Sequence, residues 1–550
     1  MLIQFPYNAG AVEAIKELPS RKWNPAERGW EIPDFLASAA AVKLEPFYPD
    51  IAEALRSHVS SVTVEARRDI SNAQSDKEVT DRNAQRILEH IQKELNLPLK
   101  LFPYQEVGVA FIELSKGKAL IGDDMGLGKT AQSLAWLTLH KEKRPVIVIC
   151  PASVKVNWGR EIDKWIPNST FQSIDSGKDA IEKGMDFYII NYDLLRKHEE
   201  GLLNIKASVV ILDESTYIKE RKSQRTKATL KIAKNSPHVL ALSGTPILNK
   251  PMEFFNILNL LTPTVFKSQY KFGEQFCGME HNGYGFSYSG ATNTELLNFL
   301  LKSIMIRREK KEVLKDLPPK RREFMYIGIP NQIIRMHDAA ELDLANAVKD
   351  YNTRGLSSGE RSERRMLAIT ALGYLRQVVG MAKAEQTLEI VRPTLEAGEK
   401  IVIFGHHKAV LDKLEEDVTK AGYANVRIDG QVTGKKRQKL IDEFQENPDC
   451  KVMIASILAM GMGVNLVSAS SVFIVERQWT PAVEEQGEDR LWRIGQEKEV
   501  TVWYLVTADT VDDKMNSLIE RKRDLVSRIV DGKKISKEES LVSELLETYR

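Results

Sequence analysis

Two separate sets of short apolar runs, each run bounded by helix-like sequence, leave this chain little choice of fold. The first set is Ala119–Ile121, Val146–Cys150, Phe187–Ile190, Val209–Leu212 and Val239–Leu242. The second is Ile401–Phe404, Val426–Ile428, Val452–Ala455, Val472–Val475 and Thr501–Leu505. Apolar runs alternating with helices imply a parallel sheet with right-handed crossovers. The expectation is therefore an α/β protein with two parallel-sheet lobes, at 99–260 and 396–508. Between them, residues 261–395 lose the strand rhythm and read as a charged, helical insert and linker. A small module at 1–60 contains Trp23 and Trp30 among Arg21, Lys22 and Arg28. A helical connector at 61–98 carries Ala84, Ile87, Leu88, Ile91 and Leu95 at helical spacing. Residues 509–550 read as a helical C-terminal brace, and no short-period repeat is evident.

A length of 550 residues exceeds one ordinary core. The 43% hydrophobic and 28% charged shares fit a soluble globular class. No apolar run is long enough for a bilayer, and Met1–Phe5 begins no secretory signal. Cys150, Cys277 and Cys450 stand far apart, which excludes a spaced zinc cluster and argues against a disulfide framework. A net charge of +2 neither requires nor forbids a polyanionic partner. Local basic clusters at Met305–Arg322 and Lys219–Lys234 are ordinarily solvated helix faces, and charge alone assigns them no ligand.

The sharpest motif is Ile121-Gly-Asp-Asp-Met-Gly-Leu-Gly-Lys-Thr130, set between a strand and a helix. Gly126 and Gly128 let the backbone turn its amides inward as a nest for phosphate oxygens. Asp124, Met125 and Leu127 complete the cradle, and the following helix N-terminus favours an anion. Lys129 is suited to neutralise β- and γ-phosphate charge, and Thr130 to ligate Mg²⁺. Asp123 stands where the general phosphate-loop pattern has its first glycine. After the run Val209–Leu212 come Asp213 and Glu214, at the ligand-facing end of a parallel strand. Asp213 is suited to hold Mg²⁺ and Glu214 to orient and deprotonate the attacking water. Gln105 offers an amide for an adenine edge. Ser243 and Thr245, ending another strand, can sense bound phosphates. The second lobe adds Ala459-Met-Gly-Met-Gly-Val-Asn-Leu466, with Gly463 as a candidate nucleotide contact. It also carries Gln486-Gly-Glu-Asp-Arg-Leu-Trp-Arg-Ile-Gly-Gln496, with Gln486 as another. Arg490 and Arg493 lie three apart, hence on one helical face. Both are candidates to reach a γ-phosphate on lobe closure.

This ordered set resembles the Swi/Snf-type ATPases of helicase superfamily two, over roughly residues 99–530. The family's phosphate loop carries an acid at the place of Asp123. The resemblance is closest to the HARP-type annealing helicases, through Tyr288–Leu296, Ile304–Lys310 with Leu317-Pro-Pro-Lys320, Phe404–Leu411 and Arg427–Gly430. It implies RecA-like lobes of the P-loop NTPase kind, ATP and Mg²⁺ as cofactors, and an N-terminal HARP-like module recognising branched DNA. It further implies DNA-backbone contacts at Pro151, Ser153, Asn191, His406, His407 and Ser456, on the face opposite the nucleotide cleft. Such contacts position phosphates without reading sequence. Where the family's carboxylate box ends in histidine, this chain has Thr216, which puts nucleotide-to-DNA coupling in question.

The function expected is ATP-driven, sequence-independent translocation on double-stranded DNA that remodels or reanneals forks, by a monomer. The alternatives are displacement of DNA-bound protein, or a nucleotide-gated DNA-binding scaffold with weak turnover. No membrane association is expected, and nothing indicates a protein partner. Compact size and the cysteine pattern suggest a cytoplasmic, nucleoid-associated protein of bacterial or viral source.

Overall fold

In the computed structural model, the structure describes residues 1–244, 251–281, 286–288, 290–353, 357–432, 434–460, 465–479 and 481–530. Chain contacts divide it into two units, one spanning Met1–Lys315 and the other Asp316–Ser527. Each is built on its own parallel sheet, so both expected lobes are present.

The sheet of the first unit has seven strands. Their order is Met305–Ile306, Lys118–Ile121, His238–Leu242, Val209–Leu212, Val146–Cys150, Phe187–Asn191 and Phe171–Ile174, all parallel. The inner strands are buried at nearly every position because helices cover both faces. Strand Lys118–Ile121 feeds the helix Lys129–Leu139, and the chain then crosses to Val146–Cys150 over two strands that are filled later. That skip opens a crevice at the carboxyl ends of the strands, where ligands of open α/β sheets bind.

The N-terminal module is a three-stranded antiparallel sheet, Leu2–Ile3, Gly29–Glu31 and Lys22–Asn24, packed with the helices Ala9–Lys16 and Ala37–Leu44. Its apolar residues Ile15, Leu18, Leu36 and Leu44 belong to one hydrophobic cluster with Val265, Phe266, Phe272 and Phe276. The helices Val59–Asn72 and Arg82–Glu94 also pack on this unit. Arg68 stacks over the Phe299 ring at 3.6 Å and donates to Ser38 Oγ at 2.8 Å.

The second unit carries six parallel strands in the order Lys320–Ile327, Val500–Thr507, Ser471–Ile474, Ile401–Gly405, Val452–Ser456 and Asn425–Ile428. A long helix, Ser358–Glu396, starts at a capping box. Ser357 Oγ accepts from Glu360 N at 3.3 Å, and Glu360 Oε2 accepts from Ser357 N at 2.9 Å. The stretch 261–395 is not purely helical. Met305–Ile306 completes one edge of the first sheet, and Lys320–Ile327 forms an edge of the second. No helix among the described residues is long and apolar enough to cross a membrane. The three cysteines are buried and unbridged.

Candidate active site

The phosphate loop leaves strand Lys118–Ile121 and curls through Gly126 (φ +87°) and Gly128 (φ +75°), left-handed angles that glycine adopts without strain. A Cβ at Gly128 would also collide with Gln105 Nε2. Lys129 opens the helix and folds its ammonium back over the loop, donating to the Asp123 and Asp124 carbonyls at 2.8 and 3.2 Å. Burial pushes the Lys129 pKa down, while the charges of Glu214, Asp123, Asp213 and Asp124 act against that fall. Motifs remote in sequence thus share one electrostatic field within the first unit.

Asp213 is held in a fixed orientation. Its Oδ2 accepts from Trp158 Nε1 at 2.8 Å, and its Oδ1 from Glu214 N at 3.0 Å. The Tyr192 hydroxyl donates to the Asp213 carbonyl at 2.8 Å, and the Tyr192 ring stacks on Tyr217 at 5.0 Å. Glu214 is buried with φ +49°, a left-handed residue that turns the chain out of the strand. Thr216 follows, half-buried, in the short 3₁₀ turn Ser215–Ile218. Thr130 is half-buried in the first turn of the loop's helix. The loop glycines, Lys129 and the oriented carboxylates fit a nucleotide triphosphate with a divalent cation.

Asp123 has a reason to be an acid. It is fully buried, and Arg308 reaches it with Nε at 2.9 Å and with a close Nη2 contact. The Arg308 backbone N–H and Gln132 Nε2 add bonds at 3.1 and 3.0 Å. Arg307 donates to the Gly122 carbonyl at 2.7 Å and pairs with Asp124 at 3.3 Å. The segment Ile306–Lys310 therefore locks the loop from beneath.

Several expectations change. Gln105 is buried and has both amide ends engaged inside the protein. Its Oε1 accepts from Phe102 N at 3.0 Å, and its Nε2 donates to the Leu127 carbonyl at 3.1 Å. It braces the loop from the helix Pro103–Leu114, where the sequence suggested an adenine contact. Pro151, Ser153 and Asn191 lie at the carboxyl ends of their strands, on the same sheet edge as the phosphate loop and displaced along it. They are not on an opposite face, because every strand of a parallel sheet ends on one edge. Ser456 ends its strand in the second sheet in the same way. The backbone N–H groups of His406 and His407 are not free for DNA phosphates. Both donate to the buried Glu476, at 2.6 and 2.9 Å, and His407 Nδ1 lies 2.5 Å from the same carboxylate. Burial, with help from Arg376 and His407, lowers the His406 pKa. Arg490 and Arg493 do not share a helical face. The helix Pro481–Glu488 ends before them and they lie in turns, Arg490 buried and Arg493 half-buried. Gln486 is half-buried on that helix. Ser243 is buried and donates its N–H to the Ile121 carbonyl at 3.1 Å. Thr245 and Gly463 fall outside the described residues.

An SNF2-related domain matches residues 104–380, and a helicase conserved C-terminal domain matches 382–495. The chain belongs to the SNF2 family. It is 32% identical over 539 residues to the SWI/SNF-related matrix-associated actin-dependent regulator of chromatin subfamily A-like protein 1 homolog of Caenorhabditis elegans, covering 96% of this chain and 74% of that one. It is also 32% identical to the DNA annealing helicase and endonuclease ZRANB3 of Mus musculus, over 80% of this chain and 41% of that protein. A solved structure, the Sulfolobus solfataricus SWI2/SNF2 ATPase core in complex with dsDNA, is 28% identical over 80% of this chain and 94% of that chain, with a TM-score of 0.39. As an SNF2 protein the chain is a DNA-dependent, helicase-like ATPase that binds nucleotide and DNA. The bacterial or viral, cytoplasmic assignment is overturned by these relatives, animal proteins named for chromatin regulation and DNA annealing. Compact size carried no information on source.

Proposed function

We propose that this SNF2 protein is a monomeric, sequence-independent translocase on double-stranded DNA that remodels or reanneals forked substrates. The reading rests on one observation: Lys129 shares a buried field with Asp213 and Glu214 across a loop built for phosphate. Lys129 neutralises the charge that builds on the transferred phosphoryl group. Trp158 and the Glu214 amide keep Asp213 aimed, so that it needs no reorganisation during the reaction. Glu214 orients the attacking water and takes its proton. Thr130 and Asp213, the latter directly or through water, would hold Mg²⁺, which would supply positive charge against the phosphate charge. Arg490 and Arg493 serve the reaction as arginine fingers, a contribution of ~10³–10⁵ in rate for such groups. Ser243 and Thr245 report phosphate state. Pro151, Ser153, Asn191 and Ser456 hold the DNA backbone without reading bases, and affinity falls steeply with salt.

Fork preference draws support from the DNA annealing helicase among the relatives, and from the N-terminal module, where Trp23 is 46% exposed beside Trp30. The chromatin-regulator name of the nematode relative favours a second reading, displacement of DNA-bound protein. Phosphate release measured with fork, linear duplex and single-stranded DNA separates the two. Fork stimulation well above linear duplex is expected, and Lys129→Ala abolishes release on all three. Equal stimulation by fork and linear duplex favours the second reading. No stimulation by any DNA removes the motor.

A further inference from the structure

The arginine-bearing turn after Glu488 is gripped by the segment with which the second unit begins. Shortly after Lys315, where the first unit ends, the chain runs through Leu317-Pro-Pro-Lys320 into the edge strand Lys320–Ile327. Lys320 Nζ donates to Glu488 at 2.8 Å and to Asp489 at 3.1 Å, the two residues just before Arg490. It also lies 4.8 Å from the centre of the Trp492 ring, and Trp492 Nε1 donates to the Pro318 carbonyl at 2.7 Å. Lys320 and Trp492 thus hold the turn on both sides of Arg490. Glu488 is fully buried and also meets Arg322 Nη2 at 2.8 Å and the Tyr504 hydroxyl at 2.5 Å. The turn has no helix to fix it, since the helix ends at Glu488. Backbone bonds continue past it, from Trp492 N to the Glu488 carbonyl at 3.2 Å and from Leu466 N to the Arg490 carbonyl at 2.9 Å, and the side-chain bonds of Lys320 and Trp492 add to them.

We infer that Lys320 is a positioning residue for ATP hydrolysis, acting through the turn that carries Arg490 and Arg493. The inference rests on the proposal that these arginines serve the reaction. A point charge bonded to both Glu488 and Asp489, and capped by an aromatic face, fixes where the turn leaves the helix. Because Lys320 follows directly on the segment joining the two units, a shift in that segment is passed to the arginine turn without an intermediate element. A misplacement of ~1 Å at a reacting group can cost ~10²-fold in rate.

The test is a double-mutant cycle on the full chain with saturating duplex DNA. Lys320→Met leaves Glu488 paired with Arg322 and Tyr504, so the fold is retained, and thermal melting checks this. Lys320→Met is expected to lower kcat at least ~10-fold with KM for ATP within about twofold. Lys320→Arg is expected to recover most of that loss. Combined with Arg490→Ala and Arg493→Ala, Lys320→Met should add less than about a further twofold, because the groups it positions are gone. An undiminished loss in that background overturns the inference and leaves the role of the arginines intact. Unchanged kcat in Lys320→Met, with the arginine variants impaired, does the same. If the arginine variants keep full kcat, the underlying proposal fails and the inference fails with it. A melting point for Lys320→Met lowered enough to unfold the chain, with no recovery in Lys320→Arg, shows Lys320 to be structural and overturns the inference.

Discussion

Asp123 shows how one side chain can be legible as an identity and opaque as a reason. The sequence shows an acid where a general phosphate loop has glycine, and the explanation lies in Arg308, 185 residues later. Trp158 is a similar case, reaching Asp213 across 55 residues. Lys129, Asp213 and Glu214 were readable because each sits in a contiguous string whose chemistry is local. Their supports were unreadable because packing alone brings them together. Gln105 was misassigned for the same reason: a glutamine near a phosphate loop suggests a ligand contact until its partners within the fold are visible. The Arg308–Asp123 pair also sets a clear expectation. Breaking a fully buried ion pair on one side leaves an uncompensated charge and costs about 3–5 kcal/mol. Arg308→Met should therefore lower the urea midpoint of the first unit sharply. The double change Asp123→Asn with Arg308→Met should regain part of the loss, since no bare charge is left behind. A single variant as stable as wild type would show that Gln132 and the backbone N–H satisfy Asp123 unaided.

Inner strands were readable as apolar runs because both of their faces are covered. Phe171–Ile174, Met305–Ile306 and Lys320–Ile327 were not, and each is an edge strand of its sheet. Edges are short or charged, since a long apolar edge invites pairing with other chains. Lys320-Arg-Arg-Glu323 thus reads as a polar linker, although the strand it opens, Lys320–Ile327, pairs in register along the full length of Val500–Thr507. Its charges are matched by an acidic partner. Burial opposes the Glu488 charge, but Lys320 and Arg322 more than offset it and hold its pKa well below the usual carboxylate range. Burial likewise opposes the Lys320 charge, and Asp489 and Glu488 outweigh it, leaving its pKa raised. The sign follows for Glu488. An acid with a depressed folded-state pKa contributes stability in full above its unfolded value of ~4.3, and loses it as pH falls through the folded value. The stability difference between wild type and Glu488→Gln should stay constant from neutral pH down to about 5, then shrink as pH falls further. Denaturant midpoints across that range check this. A difference that fades between pH 8 and 6 would mean that another group carries the pH dependence.

At the scale of the whole chain, the folded protein divides differently from the sequence rhythm. Composition suggested a compact N-terminal module followed by a helical connector, because residues 61–98 are polar and carry both charges. In the folded chain that module shares a single apolar cluster with the first lobe, through Val265, Phe266, Phe272 and Phe276. Ser20 Oγ donates to the Val265 carbonyl at 2.6 Å, and Gln275 Nε2 donates to the Glu17 carbonyl. Helical periodicity in the connector was legible, and the helix that carries it, Arg82–Glu94, packs on its neighbours Val59–Asn72 and Pro103–Leu114. A module of about 60 residues buries a small share of its surface alone and is marginal without further support. Shared burial should therefore make Met1–Lys315 one cooperative unit, with the first cleavable joint at its far end. Limited proteolysis of the full chain is expected to cut near the junction of Lys315 and Asp316 before any site between residues 56 and 100. Hydrogen exchange should show residues 11–44 opening together with the strand Val146–Cys150, because both report the same global event. Release of a stable fragment ending near residue 60, while the rest of the first unit stays folded, would show the module to be tethered. Removing residues 1–57 should then cost the lobe nothing. If the module is integral, the same truncation strips the cover from Phe266 and Phe276 and lowers the melting temperature of the lobe.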